Sequence, residues 1–396
     1  MNIQINRNTL VAGGPDTGKT GGLAVNDILS RAGDVSVVVF DPTGTLYELC
    51  APELGARGIN TALIDSVEPE NGVHINLLDA AKIPGGRQKL AYTLAYSGVD
   101  ANYITDNFTL ETVKLFLSCC IGYLAEGGKG FKPDMEGLIR LANLFKAESF
   151  GKSDVCDASM IFDRHAEVYE KHTGKPSYAC ELYRRLRQLP EQIMSTVIAR
   201  AVLSLQSFDT PEMRKLTGSS GFDLCSIAST PTVLFVRSSD TDRSADTAVS
   251  IIITQLFDSL FSYADHCENK QLPIPVRFVF DDFAALPKIQ DFEGLMPAMH
   301  SRGISVMLIV QTISRLEQRY GIGAKTITAG CTEKIFTGSS DYETARHFSL
   351  LANKSTEKLL AMPHGTMLCV RPGEASHFCE TPQPFSTGKK DIQIRR

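Results

Sequence analysis

Short apolar runs bounded by turn residues recur at both ends of the chain. NTLVAGG (8–14) breaks into glycine, VSVVVFD (35–41) is a continuous β-branched run that ends on an aspartate, and NTALIDS (60–66) is a third. Between the first two lies a helix-length stretch, GGLAVNDILSRAG. Strands buried on both faces, alternating with helix-length segments, predict a parallel sheet of βαβ units. The pattern returns in PTVLFVRSSD (231–240), followed by a long helical stretch through AVSIIITQLFDSLF. PVRFVFDD (275–282) and ISVMLIVQ (304–311) follow with a helix between them, then KIFTGSS (334–340) and TMLCVRPG (366–373). About eight strands of one large α/β domain are expected.

The middle reads differently. From about Lys89 to Gln206 the β-branched runs vanish and apolar residues recur at helical spacing, as in MEGLIRLANLF and ACELYRRLRQLPEQIMSTVIARAVLSL. EGGKGFKPD and KHTGKPS supply turn chemistry between helices. The expected organisation is an α/β domain from residues 1–88 and 207–396, interrupted by a mainly helical domain at 89–206. No internal repeat or low-complexity segment is evident.

Composition narrows the class. The 396 residues are 43% hydrophobic and 21% charged, with a formal net charge of -5, so the chain is not coated with positive charge for tight nucleic-acid binding. A local basic groove remains compatible with that total. The longest apolar stretch, around LFLSCCIGYLA (115–125), is too short to span a bilayer and reads as a buried helix. MNIQINRN lacks the layout of a signal peptide. The ten cysteines include one adjacent pair, Cys119–Cys120, and no Cys/His spacing of a zinc site, so a reduced cytosolic chain is expected.

The chemistry concentrates at GGPDTGKT (13–20). This GxxxxGK[ST] spacing follows a predicted strand and opens a predicted helix, the context of a loop that cradles phosphates with backbone N–H groups. Gly13, Gly14, Pro15, Asp16, Thr17, Gly18, Lys19 and Thr20 form the candidate nucleotide-binding loop. Lys19 is expected to reach the β/γ-phosphates of ATP, and the Thr20 hydroxyl to hold Mg²⁺. RFVFDD supplies a second acidic element: Asp281 as partner of the Mg²⁺ shell and Asp282 to activate or orient the attacking water. The competing role for Asp281 is a helix cap. Gln311, at the end of the next strand, is a candidate sensor of the γ-phosphate.

With these residues placed, the chain resembles the type IV secretion coupling proteins, the TraG/TraD-like motors of bacterial conjugation. The resemblance rests on NTLVAGGPDTGKTGG, VVVFDPTGTLYE, INLLD, SFDTPEMRK and AGCTEKIFTGSSDYETARHFS. Above all it rests on FVFDDFAALPKIQDFEGLMPAMHSRGISVMLIVQTISRLEQRYG. It implies a RecA-like P-loop motor domain with a mainly parallel central sheet and an inserted all-α domain. It further implies hexameric rings that hydrolyse ATP between subunits and engage single- or double-stranded DNA. A relaxase and the secretion channel are the implied partners, and the cytoplasmic face of the bacterial inner membrane the implied location. Such proteins usually carry an N-terminal membrane anchor; a start just before the first core strand is what a trimmed or anchorless member would have.

Several positions depart from the family pattern. Asp16 stands where glycine is common, and Thr43 and Thr45 where lysine and glutamate are usual. Asp282 stands at the position of a catalytic glutamate. His300 stands where an arginine reaches into the neighbouring subunit's site, with Arg302 two residues on as a substitute. An arginine finger is worth about 10³–10⁵ in rate, so nucleotide binding with slow hydrolysis is expected of the isolated chain. The alternatives are a non-catalytic nucleotide-binding docking platform and an FtsK-like DNA pump, the latter disfavoured by the block from Asp281 to Gly321. Arg184, Arg185 and Arg187 are read as a solvated helix face in preference to a DNA or cargo contact. Arg315 and Arg319 lie on a helix that could face a ring pore. His165, His172 and His347 receive no role, and the Cys119–Cys120 pair is read as core.

Overall fold

The β-branched runs form strands that are mostly buried on both faces, although the run at 60–65 is exposed at its first two residues. In a computed structural model, which describes residues 7–83, 85–96, 107–149 and 158–383, they assemble into one nine-stranded sheet. The strands are β1 (Thr9–Ala12), β2 (Ser36–Asp41), β3 (Asn60–Asp65), β4 (Thr232–Arg237), β5 (Val276–Phe280), β6 (Ile304–Val310), β7 (Glu333–Phe336), β8 (Thr366–Val370) and β9 (His377–Glu380). Their order is β3-β4-β2-β5-β6-β1-β7-β8-β9. The pairings among β1, β2, β4, β5, β6 and β7 are parallel, and β8 pairs antiparallel with both β7 and β9 to close one edge. The eight expected strands are present. The ninth, HFCE, is four residues long and half-exposed at the sheet edge, so no apolar run announces it.

Two compact units divide the chain. The first comprises residues 1–63, 225–241 and 263–396, and the second 64–224 and 242–262. These borders differ from 88/89 and 206/207, where β-branched runs cease, because short helices such as Leu77–Lys82 and Pro211–Thr217 lie in the second unit. In the first unit, Val11, Val37, Val39, Val279, Ile309 and Ile335 from five strands pack in one core with Leu23, Ala24, Ile28 and Leu29.

The second unit is helical, with principal helices Asn107–Ala125, Met135–Ser149, Ala158–Thr173, Tyr178–Leu186 and Glu191–Ser204. Its core is aromatic: Phe162 stacks on Tyr183 with ring centroids 4.5 Å apart, and Tyr123 lies 4.9 Å from Phe162. The segment read as too short for a bilayer extends to the 19-residue helix Asn107–Ala125. This helix and Asp246–His266 are long and apolar enough to cross a membrane, and 67% of each apolar window is buried inside the protein, as in core helices. Cys119 and Cys120 are buried in the first of these; Cys156 and the first six residues lie outside the described residues.

Candidate functional site

The register of the parallel strands brings their C-terminal ends into line. Phe40 of β2 pairs with Phe280 of β5, Phe280 with Leu308 of β6, Val310 of β6 with Ala12 of β1, and Ala12 with Phe336 of β7. Asp41, the last residue of β2, and the residues that follow the other strands therefore converge on one edge: Asp281, Gln311, the loop from Gly13, and Thr337. In open α/β sheets this edge is where ligands bind.

The loop 13–20 is built by close packing. Gly13 donates its N–H to Val310 O at 3.2 Å and Gly14 to Gly338 O at 2.8 Å. A Cβ on Gly13 would lie 2.0 Å from Thr337 Oγ1, so any other residue there must displace the Thr337 hydroxyl. Thr17 Oγ1 donates to Gly14 O at 2.9 Å and shares a 2.7 Å hydrogen bond with Thr337 Oγ1. Asp16 has φ 57 and Gly18 φ 83, both left-handed; aspartate tolerates that region better than most residues. The Asp16 side chain is exposed. The helix opens at Lys19 with a π-helical turn, Lys19–Ala24, and its N-terminus has no side-chain cap. Uncapped N–H groups and the helix dipole favour an anion at that point.

Lys19 is buried, and its ammonium donates to Gly14 O and lies 3.4 Å from Thr17 Oγ1. Burial lowers its pKa below the ordinary lysine value, against the opposing pull of Asp281, Asp282 and Asp16. Thr20 Oγ1 lies 3.1 Å and 3.2 Å from the two carboxylate oxygens of Asp281. Burial pushes the Asp281 carboxyl up to about 6; the Thr20 hydrogen bond opposes this, while nearby Asp41 and Asp282 reinforce it. Asp41, fully buried, accepts from Tyr47 N at 2.9 Å and is itself raised by burial.

Asp282 has φ 50, which turns its side chain toward the end of β6. There Gln311 Nε2 donates to Asp282 Oδ2 at 2.8 Å, and Arg315 Nη1 donates to Gln311 Oε1 at 2.9 Å. An acceptor on one side and a donor on the other fix the orientation of the Gln311 amide. The other oxygen, Asp282 Oδ1, is buried and has no hydrogen-bond partner among the described residues. Burial raises the Asp282 pKa, against Arg315, Lys19 and the Gln311 hydrogen bond.

Of the candidate residues, 13–20, Asp281, Asp282 and Gln311 thus share one site. His300 and Arg302 do not. They precede β6, at the opposite end of a seven-residue strand, about 20 Å from Gln311 at a rise of about 3.3 Å per residue. His300 is exposed and borders a cavity of about 660 Å³ with Asn8, Met296, Thr332 and Pro372. Arg302 Nη2 is tied to Asp265 at 2.7 Å.

Residue-by-residue reading missed four contributors: Asp41, Thr337, Thr381 and the coupling of Arg315 to Gln311. Thr337 and Thr381 lie far from the loop in sequence, and only the order β6-β1-β7 brings Thr337 beside it. Thr381 Cγ2 packs where a Cβ on Gly18 would come within 2.9 Å, and Pro382 O lies 2.6 Å from the Cβ position of Gly22. The sequence signal for Asp41 was present, as a buried strand ending on aspartate. Arg184, Arg185 and Arg187 are exposed, the expected solvated face.

Comparison with known proteins agrees with this architecture. The bacterial conjugative coupling protein TrwBdeltaN70, in an unbound form, is similar at a TM-score of 0.66 and 15% identity, covering 94% of this chain and 84% of that one. TrwB in complex with ADP and Mg²⁺ gives a TM-score of 0.69 at 16% identity, covering 96% and 87%. VirB4 of Thermoanaerobacter pseudethanolicus gives 0.57 at 12% identity, covering 94% and 89%. At these identities the likeness establishes the fold, RecA-like with a helical insert. No curated protein matches the chain. Residues 4–359 match the family described as type IV secretory system conjugative DNA transfer, and the chain belongs to that family.

Proposed function

We propose that this chain is the ATP-binding motor of a conjugative coupling protein, passing relaxase-bound single-stranded DNA or protein cargo toward the type IV secretion channel. The observation that carries the reading is the Thr20–Asp281 pair at the mouth of the phosphate loop, 3.1 Å apart and within the electrostatic reach of the buried Lys19. A hydroxyl and a carboxylate, with a second buried aspartate behind them, form the hard oxygen donor set that suits Mg²⁺. Bound there, Mg²⁺ would neutralise charge on the β- and γ-phosphate oxygens. The nucleotide and Mg²⁺ complexes of TrwB support the same cofactors here.

The residues divide the work. Gly13–Thr20 hold the phosphates through backbone N–H groups and the Lys19 ammonium. Asp282 Oδ1, buried and without a partner among the described residues, is the acceptor for a proton of the attacking water. Gln311 steadies the other carboxylate oxygen and passes any displacement to Arg315. An aspartate is one methylene shorter than glutamate and reaches less far toward the attacking water, so hydrolysis is slow in the isolated chain.

The distance from His300 to this site calls for a second copy. We assign His300, with Arg302 as its reserve, to the site of a neighbouring subunit in a ring, six to a ring as in the family. The helical domain, 89–206 in the sequence reading, faces the cytosol and selects cargo, and the assembled ring works at the inner membrane.

The test is Mg-ATP turnover with and without single-stranded DNA, beside Lys19→Ala as the blank. Turnover above the blank that rises with DNA supports the motor. Turnover equal to the blank, with nucleotide bound, would instead make the chain a docking platform.

A further inference from the structure

The β8–β9 meander brings three metal-binding side chains together, at a site remote in character from the phosphate loop. Cys369 pairs across the antiparallel ladder with His377, and Cys379, two residues on from His377, projects from the same face. The two sulfurs and one imidazole nitrogen lie within 4.8 Å of one another. Cys369 Sγ and Cys379 Sγ are 3.5 Å apart, and both cysteines are free. Two thiolates bound tetrahedrally to zinc at about 2.3 Å stand about 3.8 Å apart, so closure on the ion needs only a few tenths of an ångström.

We propose that Cys369, His377 and Cys379 form a soft-metal site that binds one Zn²⁺ per chain, with water in the fourth position. The set is chemically balanced. The two thiols give up their protons to solvent on binding, and two thiolates with a neutral imidazole leave a site of zero net charge around a divalent ion. Cys369 is buried and Cys379 half-buried, while His377 is exposed, so the ion enters and keeps its water on the histidine side. Arg371, whose charge acts on Cys369, is committed to Glu333, its Nε 2.8 Å from Oε1, and does not oppose the ion with a free charge. Two thiolates and an imidazole favour zinc over the oxygen-seeking Mg²⁺ of the phosphate loop.

The sequence conceals this site. Its ligands are spaced as C-x7-H-x-C, unlike the C-x2–4-C and H-x3–5-H spacings of common zinc sites, and the strand register makes them neighbours. The position has a mechanical consequence. β9 ends at Glu380, and the next residues, Thr381 and Pro382, pack against Gly18 and Gly22 of the phosphate loop and its helix. Asn26 Nδ2 adds a 3.3 Å hydrogen bond to Gln383 O. An ion across β8 and β9 would therefore anchor the strand that holds this segment in place.

The test is cobalt substitution of the purified, reduced chain, which needs no turnover. One Co²⁺ per chain is expected, with thiolate charge-transfer absorption, the intense visible bands of a tetrahedral site, and displacement by Zn²⁺. His377→Ala and Cys379→Ser should each weaken metal binding at least about tenfold, and a Cys225→Ser/Cys267→Ser control should bind as the parent does. Zinc should also slow hydrogen exchange at the amides of 377–380. His377 is exposed, so its alanine variant decides the matter even where a cysteine variant fails to fold. Absence of cobalt–thiolate absorption, or the same absorption in His377→Ala, overturns the proposal. So does a Cys369–Cys379 disulfide whose reduction yields no metal binding.

Discussion

Asp281 carries a conflict that can be measured. Burial, reinforced by the charges of Asp41 and Asp282, pushes its carboxyl up to about 6, from the ordinary 3.8. A folded value above the unfolded one means that its contribution to stability is complete below about pH 3.8 and is lost as pH rises through about 6. The gap is worth about 3 kcal/mol at 1.36 kcal/mol per pH unit. Asp281→Asn cannot ionise, and its side-chain oxygen still accepts from Thr20. Its new amide needs a partner, which removes about 1 kcal/mol of the gain.

The variant should therefore be more stable than the parent by about 1–3 kcal/mol at pH 8 in the absence of ligands, and nearly equal to it at pH 4. At about 2–4 °C per kcal/mol for a unit of this size, the melting temperature rises by about 2–12 °C at pH 8. Thermal melts across pH 4–8 read this directly. Mg-ATP should reverse the order, stabilising the parent and leaving Asp281→Asn almost unmoved, because in the proposed site the carboxylate that costs stability is the one that would hold the ion. A difference independent of pH, or a variant that melts lower at pH 8 without ligand, would refute the reasoning.

Gly13→Ala sets a Cβ 2.0 Å from Thr337 Oγ1 and should cost about 1–3 kcal/mol by overpacking; adding Thr337→Ala should restore part of it, as a double-mutant cycle of melts would show. Gln311→Ala frees Asp282 Oδ2 and Arg315, and should lower kcat by about 10²-fold while ATP affinity changes little. Burial acts to raise the Asp27 carboxyl, but the Arg277 and Arg31 guanidiniums outweigh it and hold it below the ordinary carboxylate range. Its contribution is present above the unfolded pKa and fades as pH falls through the folded one, so Asp27→Ala should lose about 3–5 kcal/mol at pH 7 and less in acid. Restoring Asp282→Glu together with His300→Arg should raise Mg-ATP turnover at least about tenfold; no gain would mean that neither side chain limits the rate.

Eight of the strands were legible because a strand buried on both faces reads as a near-continuous apolar run; β2 and β6 are buried at every position and carry only Ser36, Asp41 and Ser305 as polar residues. The edge strand β9 was not, because half-exposure allows His377 and Glu380 among its four residues. The phosphate loop was legible because its function depends on spacing within eight consecutive residues. Thr337 and Thr381 support that loop from more than 300 positions away, and their contribution depends on strand order, which no local pattern records. The Cys369–His377–Cys379 cluster escaped for the same reason.

The two ends of β6 explain why the candidate residues separate. Gln311 follows its C-terminus and joins Asp282 through 2.8 Å, whereas His300 precedes its N-terminus. A strand cannot bend back on itself within seven residues, so no rearrangement inside the sheet brings the two together. A residue that completes the site from the opposite edge must come from another molecule. The environments at that edge separate the two candidates: Arg302 is held by Asp265 through Nε at 3.1 Å and Nη2 at 2.7 Å, whereas His300 lies exposed beside the 660 Å³ cavity. Arg302 would have to break its ion pair before reaching a neighbour, and His300 would not. In the proposed ring, the histidine is therefore the position better placed to meet the next subunit, and it is the one to vary first when testing whether one subunit accelerates its neighbour.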